Sequence, residues 1–382
     1  MRCESTEYDR RRRDAFGRMK TLSFDVAIAG GGPGGSATAL SLLSHAPSLS
    51  VVLIEATRYE SYRVGETLPP PSRAILEHLR VWDRFKSQRH HEAHGTSAAW
   101  GGPLPHDNDF FFLPANIGWH LDRAAFDSML ANEAESRGAT LILDTRVRDA
   151  QHTPEGWRLS LSNGDAIAAR FIVDATGGAA LARRCGARFV EADRLVGIAG
   201  FFDHCNGNPR TLVEAFEHGW WYTAGLPNSR RIVVCMSDAD VARRSGLHEK
   251  KEWRRALATM PHVGTTVGTS EAAETIVIRS ASSRRLEPAM GEDWVAVGDA
   301  ASRFDPLSSQ GIVKALRSGV FASYAISDWL ERGDETGLKR YGRYVSEEFK
   351  SYTDIREKYY REEQRWPESE FWRRRQGPVS VM

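Results

Sequence analysis

The chain has few cysteines, and their spacing fits neither a disulfide framework nor a metal site. The four cysteines among its 382 residues, Cys3, Cys185, Cys205 and Cys235, form no CxxC pair and no metal-ligand spacing. A disulfide framework and a zinc site both require such spacing, so neither is expected. We predict no metal site and a protein of a reducing compartment, the cytoplasm.

Long apolar runs and an excess of one charge are also missing. No run approaches the roughly 18 apolar residues of a membrane helix, and residues 10–13 precede a polar stretch instead of the apolar core of a secretory signal. Lys plus Arg total 51 and Asp plus Glu 50, which favours neither nucleic acid nor a membrane as partner. We expect residues 1–18 to form a disordered tail, with Met19 as an alternative start.

The first folded unit that the sequence predicts is a strand, a glycine-rich turn, a helix and a second strand. Residues 24–29 are an apolar run of strand length, GGGPGGS follows, and a second apolar run ends on Glu55. This βαβ order gives parallel strands, and therefore an α/β fold.

The GxGxxG turn predicts a dinucleotide site. Gly30 permits the tight turn, Gly32 lets the backbone approach a pyrophosphate, and Gly35 allows close packing of helix on strand. The helix N-terminus attracts the phosphate charge, and Glu55 is placed for the ribose hydroxyls.

The rest of the chain is predicted to alternate between this domain and a second one. An Asn163-Gly164 pair between two strand-like runs favours a hairpin with a type I′ turn. The predicted division is a discontinuous nucleotide domain (19–85, 120–185 and 276–335), a mixed-sheet substrate domain (86–119 and 186–275) and a helical C-terminal segment (336–382).

A second motif near the other end of the chain indicates which dinucleotide binds. VAVGDAASRFDPLSSQGI (295–312) resembles the second FAD fingerprint of the glutathione-reductase-type flavoproteins, and WHLDRAAFD and FIVDATGG match further family segments. The resemblance implies a glutathione-reductase-type fold with a parallel, Rossmann-like sheet, and FAD as cofactor. The predicted cofactor-binding residues are Gly30, Gly32, Pro33, Gly34, Gly35, Ser36, Glu55, Arg123, Val147, Asp174, Ala175, Gly298, Asp299, Pro306, Gly311 and Ile312.

The resemblance also assigns roles within that set. Asp299 is at the position that binds the ribityl chain, and the loop at 306–311 lines the flavin ring. Asp174 and Ala175 pass under the cofactor. Since only one GxGxxG is present, we expect no separate NAD(P)H domain, so NAD(P)H or another external reductant would dock transiently, with O₂ as the oxidant.

YRVGETLPPP (62–71) resembles a segment shared by flavin-dependent halogenases and their hydroxylase and reductase relatives. Halogenation requires a lysine near this segment, and no lysine occurs between Lys20 and Lys86. Halogenases also carry WxWxIP, where this chain has GWWYTAGLP. The sequence therefore argues against halogenation.

GWWYTAGLP, FDPLSSQGIVKALRSG and the tail YYREEQRWPESEFWRRR resemble the flavoprotein maturases of tryptophylquinone enzymes. That resemblance implies an FAD-dependent monooxygenase that oxygenates a Trp side chain of a partner, a quinone-enzyme precursor, during cysteine tryptophylquinone biogenesis. His120, the best titratable candidate beside the flavin, and Trp221, in a predicted aromatic pocket, are the catalytic candidates. Two alternatives stay open: a reductase or hydroxylase of a small hydrophobic or aromatic metabolite, and a flavoprotein maturation chaperone without enzymatic activity.

Overall fold

The computed structural model describes residues 21–60, 63–113, 115–203, 208–268 and 275–376. The predicted N-terminal tail and the alternative start at Met19 lie outside these residues. The α-helices of the described residues are α1 (Pro33–His45), α2 (Ser72–His78), α3 (Trp82–Ser87), α4 (Arg123–Ser136), α5 (Ala239–Arg244), α6 (Lys250–Ala258), α7 (Gly311–Arg332), α8 (Thr336–Glu362) and α9 (Glu370–Gln376). None of these helices is long and apolar enough to cross a membrane.

The first sheet has a parallel core that the βαβ unit begins. Its strands, numbered in chain order over the whole molecule, are β1 (Leu22–Ala29), β2 (Val51–Ile54), β8 (Thr140–Ile142), β9 (Val147–Thr153), β10 (Gly156–Leu161), β11 (Ala166–Asp174) and β19 (Trp294–Ala296). Their order is β8-β2-β1-β11-β10-β9, and β19 pairs with the second half of β11. Strands β8, β2, β1, β11 and β19 are parallel, whereas β10 runs antiparallel to β9 and β11.

The second sheet is mostly antiparallel. Its strands are β5 (Gly95–Ala99), β6 (His106–Asp109), β13 (Leu195–Phe202), β14 (Arg210–Phe216), β15 (Gly219–Leu226), β16 (Arg230–Asp238) and β17 (Val277–Ser280), in the order β17-β13-β16-β15-β14-β5-β6. Strand β17 lies just beyond residue 275, where the predicted substrate domain ends. The division into domains otherwise stays a prediction.

Two small sheets connect the larger ones. One contains β3 (Thr67–Leu68), β4 (His91–Ala93) and β7 (Gly118–His120), in the order β3-β7-β4. The other contains β12 (Arg188–Glu191), β18 (Arg284–Glu287) and β20 (Ser302–Arg303), with β18 in the middle.

Two helices from distant parts of the sequence cover one another at the first sheet. Helix α7 packs along α1, and Ser323 donates a hydrogen bond to Ser41 at 2.8 Å. A Cβ on Gly319 would lie 2.4 Å from the carbonyl oxygen of Gly34. Only glycine therefore allows the two helices to approach this closely.

The C-terminal helices pack on the second sheet. Trp372 and Phe371 of α9 and Tyr360 of α8 are fully buried against Trp100 and Trp220. The indole Nε1 of Trp220 donates to the Tyr360 hydroxyl at 2.9 Å. The aromatic tail is thus part of the core of the molecule.

Local details differ from the sequence-based expectations where the turn chemistry is ambiguous. The hairpin between β10 and β11 is present, but only Gly164 of the Asn163-Gly164 pair has a positive φ, of 91°, so the predicted type I′ turn is wrong. A type I′ turn requires positive φ at both central residues. Between α2 and α3 the chain turns at Arg80, which lies in the left-handed region at φ 55°.

Candidate functional site

The glycine-rich turn is packed too tightly for side chains on its protein side. Gly30 has φ 111°, and a Cβ there would lie 2.3 Å from the carbonyl oxygen of Ala175. A Cβ on Gly35 would lie 2.0 Å from the carbonyl oxygen of Gly30. These contacts join the end of β1, the start of α1 and the end of β11 at one point.

The same turn is open on its other side. Gly32 is the N-cap of α1, Pro33 is the first helical residue, and a Cβ on Gly32 would meet no atom within 4 Å. The first N–H groups of a helix have no partner within the helix and attract negative charge. The open cradle at Gly32 therefore fits a pyrophosphate.

Glu55 lies beside this cradle and is almost completely buried. Its Oε2 accepts a hydrogen bond from the N–H of Gly31 at 2.8 Å. Its Oε1 accepts from Thr57 and from Arg63. Since Oε2 has one donor, it retains the capacity to accept a ribose hydroxyl. Val147 begins β9, two residues after Thr145, whose N–H donates to the carbonyl oxygen of Glu55 at 2.9 Å.

Other predicted residues of the turn support the backbone. The Oγ of Ser36 donates to the carbonyl oxygen of Gly31 at 3.0 Å. Gly34 faces Gly298, whose own N–H donates to Ser318 at 2.8 Å. The two fingerprints are therefore in contact at Gly34 and Gly298, although they are far apart in sequence.

The side chain of Asp174 is committed to the protein. Its carboxylate accepts hydrogen bonds from the backbone N–H groups of Thr176, Leu181 and Ala182. We therefore expect Asp174 to act on a cofactor by holding this turn, while Ala175 offers its backbone beside Gly30.

Asp299 lies among cations. Burial opposes ionisation, but Lys314 and Arg303 together lower the pKa of Asp299 below its ordinary value. Lys314 Nζ donates to Asp299 at 3.0 Å and also to the carbonyl oxygen of Ser302. Asp299 is consequently held as a carboxylate, which can accept hydroxyl hydrogen bonds from a ribityl chain.

The loop at 306–311, which the resemblance assigns to the flavin ring, is held in place by residues of α8. Pro306 follows Asp305, a buried residue whose carboxylate accepts hydrogen bonds from Tyr360 and Arg356 of α8. The N–H of Asp305 donates to the hydroxyl of Tyr352. At the end of the loop, a Cβ on Gly311 would meet no atom within 4 Å, whereas Ile312 packs into the core.

Arg123 is held rigidly at the start of α4. It forms a two-point ion pair with Asp127, and its Nη1 donates to the carbonyl oxygens of Val64 and Gly65. Arg63 donates to the same Asp127 at 2.9 Å and to Glu55 at 3.0 Å. These charged side chains connect Glu55, beside the glycine-rich turn, with Arg123, beside a cavity described next.

A small cavity of about 20 Å³, open to solvent, adjoins Arg123. Leu121, Ala124, Phe201 and Leu226 form its apolar part. Its polar part is formed by Arg63, Glu66, Asp122, Arg123 and Arg230.

Sequence reasoning missed Arg63, Asp127 and Glu66 as site residues. Arg63 and Glu66 belong to the YRVGET segment, whose resemblance to halogenases and their relatives assigned neither residue to the site. The acid four residues after Arg123 on one helix face was the signal for Asp127.

The structure corrects the catalytic role expected for Trp221. Successive residues of a strand face opposite sides of the sheet. Trp220 and Tyr222 therefore face the C-terminal helices and Glu66, whereas Trp221 is fully buried on the other face, 5.3 Å from the ring of Trp253. A substrate in the cavity cannot reach it.

His120 is also fully buried and does not line the cavity. Its Nε2 lies 2.9 Å from the Oγ1 of Thr211. Burial lowers the pKa of His120 to about 3, and the nearby His91 contributes in the same direction. A neutral, enclosed imidazole is a poor proton donor to a substrate, so we assign His120 a structural role.

The open cradle, the available oxygen of Glu55 and the carboxylate of Asp299 together fit FAD. When bound, FAD supplies the redox chemistry of its ring, including reaction with O₂. The protein contributes the helix N-terminus for the pyrophosphate, the fixed loop at 306–311, and a small adjoining cavity with an apolar and a polar side. No group of three or more His, Cys, Asp and Glu side chains within the described ranges could hold a metal ion.

Comparison with known proteins identifies similar flavoproteins over most of the chain. The profile of the family described as tryptophan halogenase matches residues 86–380. LodB of Marinomonas mediterranea, described as an FAD-dependent oxidoreductase, is 29% identical over 366 residues, which are 92% of this chain and 97% of LodB.

Solved structures confirm the predicted fold class. The myxobacterial chondrochloren halogenase CndH superposes with a TM-score of 0.86 at 24% identity, covering 94% of this chain and 86% of CndH. QhpG, a peptidyl tryptophan dihydroxylase essential for tryptophylquinone cofactor biogenesis, has a TM-score of 0.75 at 24% identity, covering 94% of this chain and 80% of QhpG. At such identities these structures show the fold alone.

Most of the other similar proteins are flavin-dependent halogenases, among them a pyrrole-carrier-protein chlorinase of Pseudomonas fluorescens. The comparisons therefore do not support the sequence-based argument against halogenation, and the choice between oxygen transfer and halogen transfer depends on the site.

Proposed function

This chain belongs to the tryptophan halogenase family of FAD-dependent enzymes, and within that family we propose that it is a monooxygenase. The proposed substrate is a Trp side chain of a partner polypeptide, a quinone-enzyme precursor, and the product contributes to cysteine tryptophylquinone biogenesis. The proposed co-reactants are O₂ and NAD(P)H or another external reductant, in the cytoplasm.

The positions of the lysines support oxygenation rather than halogenation as the reaction of this protein. No lysine of the described residues lines the cavity beside Arg123. Lys314 is buried and bound to Asp299, and Lys86 lies on the exposed face of α3, paired with Asp83. The remaining described lysines are on α6 and α8. A lysine amine that carries halogen to a substrate is therefore missing from this part of the site.

The segments that resemble the quinone-enzyme maturases support the choice of substrate. The GWWYTAGLP strand and the aromatic tail are far apart in sequence but pack directly on each other through Trp220, Tyr360 and Trp372. LodB, which has a similar length, and QhpG, whose described activity is on peptidyl tryptophan, are consistent with this proposal.

The proposal is tested by coexpressing the protein with a quinone-enzyme precursor under isotopically labelled O₂. We expect the Trp-containing peptide of the precursor to gain mass equal to one or more labelled oxygen atoms. The control is a Gly32→Val variant, which should fold but not retain FAD, and should leave the peptide unchanged. An unmodified peptide with the wild-type protein, alongside turnover of a small metabolite, would contradict the proposal.

Adding a halide distinguishes the proposed oxygenation from the halogenation that is commoner among the similar proteins. Chloride or bromide should not produce halogenated peptide or halogenated free tryptophan. A halide-dependent product found by mass spectrometry would favour halogenase function and would show that a lysine beside the cavity is not required.

A further inference from the structure

Glu66 is a buried carboxyl group at the cavity to which neither the motifs nor the similar proteins assign a role. The residue is only 2% exposed and lines the cavity next to Arg123. Its Oε1 accepts a hydrogen bond from the N–H of Gly65 at 2.7 Å, and the hydroxyl of Tyr222 lies 3.4 Å from its Oε2. The carboxyl therefore has a fixed orientation, with capacity to accept a further hydrogen bond.

Among the described residues, no direct ion pair neutralises the Glu66 carboxyl, unlike the carboxyls of its neighbours. Glu55 and Asp127 are bound to arginines. Burial raises the pKa of Glu66 above its ordinary value, although Gly65, Arg123 and Tyr222 oppose this effect. The charged and titratable groups around it are Arg123 on α4, Tyr222 on β15, and Arg63, Asp122 and Arg230 around the cavity. A raised pKa makes its carboxylate a stronger base than that of an exposed glutamate.

We propose that Glu66 is the general base that removes the ring proton of the aromatic substrate, with Tyr222 as the residue that orients it. This inference rests on the proposed function, in which a ring C–H becomes C–OH. The new C–O bond forms at a ring carbon with one atom of O₂, the O–O bond breaks, and the other oxygen atom leaves as water, with the external reductant supplying two electrons through FAD. The C–H bond at that carbon then breaks, its electron pair restores the aromatic ring, and the proton passes to the Glu66 carboxylate.

The first measurement needs no substrate. Infrared spectra of FAD-loaded protein, recorded across pH, should contain a protonated-carboxyl band that persists above the range of an ordinary glutamate, at a pKa of about 4.3. The band should be lost in Glu66→Gln and retained in Glu92→Gln, a matched control on the exposed surface of β4. All three proteins should bind FAD equally.

The second measurement uses a Trp-containing precursor peptide with a deuterated indole ring. General acid–base groups contribute about 10²–10⁴ to rates, so Glu66→Gln should lower the rate of ring modification by about 100-fold or more. Because C–H cleavage then becomes rate-limiting, a primary isotope effect should appear that the wild type lacks. Tyr222→Phe should show the same isotope effect with a smaller loss of rate.

The outcomes separate the two proposals. A modified peptide with no Glu66 band, or a Glu66→Gln rate within a few-fold of wild type without an isotope effect, overturns the base assignment and leaves the function standing. An unmodified peptide with the Glu66 band present overturns the proposed function, and the role of Glu66 as the base of that reaction falls with it, whereas the raised pKa of the carboxyl remains as a separate result.

Discussion

Gly32 is the residue at which the cofactor cradle can be changed with the least effect on folding. Its φ of −73° is allowed for every residue type, and its Cβ direction meets no protein atom within 4 Å. In Gly32→Val the new side chain should occupy the space of the pyrophosphate. We expect FAD affinity to fall by at least about tenfold, about 1.4 kcal/mol, measured as bound flavin per protein after dialysis.

The matched control is Gly102→Ala, since a Cβ there also meets no atom within 4 Å but lies away from the cradle. The FAD-free forms of both variants should melt at the wild-type temperature. Full flavin content in Gly32→Val would show that the cradle does not hold the phosphates.

His120 should make the stability of the protein depend on pH. Its pKa is lowered by burial to about 3, whereas an unfolded histidine titrates near about 6.5. Below pH 6.5 the unfolded chain binds a proton that the native protein does not. The free energy of unfolding should therefore fall with decreasing pH, by up to about 1.4 kcal/mol per pH unit, until about pH 3.

The pH dependence is checked by urea unfolding of the wild type and of His120→Gln between pH 7 and pH 4. The variant should lose less stability on acidification, although His90, with a pKa lowered to about 4, and His91 keep part of the effect. His78→Gln, at an exposed position on α2, is the control. Identical slopes for wild type and His120→Gln would refute the assignment.

At the scale of elements, helix α8 fixes the loop at 306–311 through one buried ion-pair cluster. Arg356 donates to Asp305 at 3.2 Å and to Asp193 at 2.7 Å, and all three side chains are buried. Removing one partner of a buried ion pair costs about 3–5 kcal/mol. Arg356→Met should therefore lower the free energy of unfolding by that amount and should speed hydrogen exchange across residues 305–311.

Arg361→Met provides the comparison on the same helix. Arg361 pairs with Glu357 at 3.0 Å but is half exposed, and exposed pairs contribute about 0–1 kcal/mol. Two outcomes would show that α8 does not fix the conformation of the loop: an equal loss of stability in both variants, or unchanged hydrogen exchange across residues 305–311 in Arg356→Met.

The elements that sequence could predict are those whose signals are local. The βαβ unit follows from short apolar runs and glycine positions, and the structure contains it. The faces of β15 could not be predicted, because every residue of this strand is buried and no alternation shows which side holds Tyr222. The error for Trp221 has this cause.

Contacts between segments that are far apart in the chain also could not be predicted from the sequence. Tyr222 reaches Glu66 across 156 positions, and Tyr360 reaches Asp305 across 55. Such pairs depend on the packing of the second sheet against the C-terminal helices, for which a single sequence carries no periodic signal. The fold class could be predicted because a resemblance supplied the missing geometry.

At the scale of the whole molecule, the C-terminal helices make the two large sheets interdependent. Helix α8 holds the loop at 306–311, and α9 fills the aromatic core of the second sheet. We expect tryptophan fluorescence and flavin absorbance to report the same unfolding midpoint. In Trp372→Ala, which removes a fully buried ring at a cost of about 3–5 kcal/mol, fluorescence should change before flavin is released.

Exposed Leu104→Ala serves as the control, since its side chain is 78% exposed. It should leave both midpoints unchanged. Two separate wild-type transitions would show that the sheets unfold independently in spite of the shared helices.

The contact of Gly319 with Gly34 has a consequence for the synthesis of the protein. Translation releases α1 early, but α7, which covers it, and β19, which pairs with β11, leave the ribosome only near the end of the chain. A nascent chain therefore carries an uncovered α1 face and an unpaired strand through most of its translation, which are features that promote aggregation. We therefore expect FAD to bind only after α7 and β19 have left the ribosome.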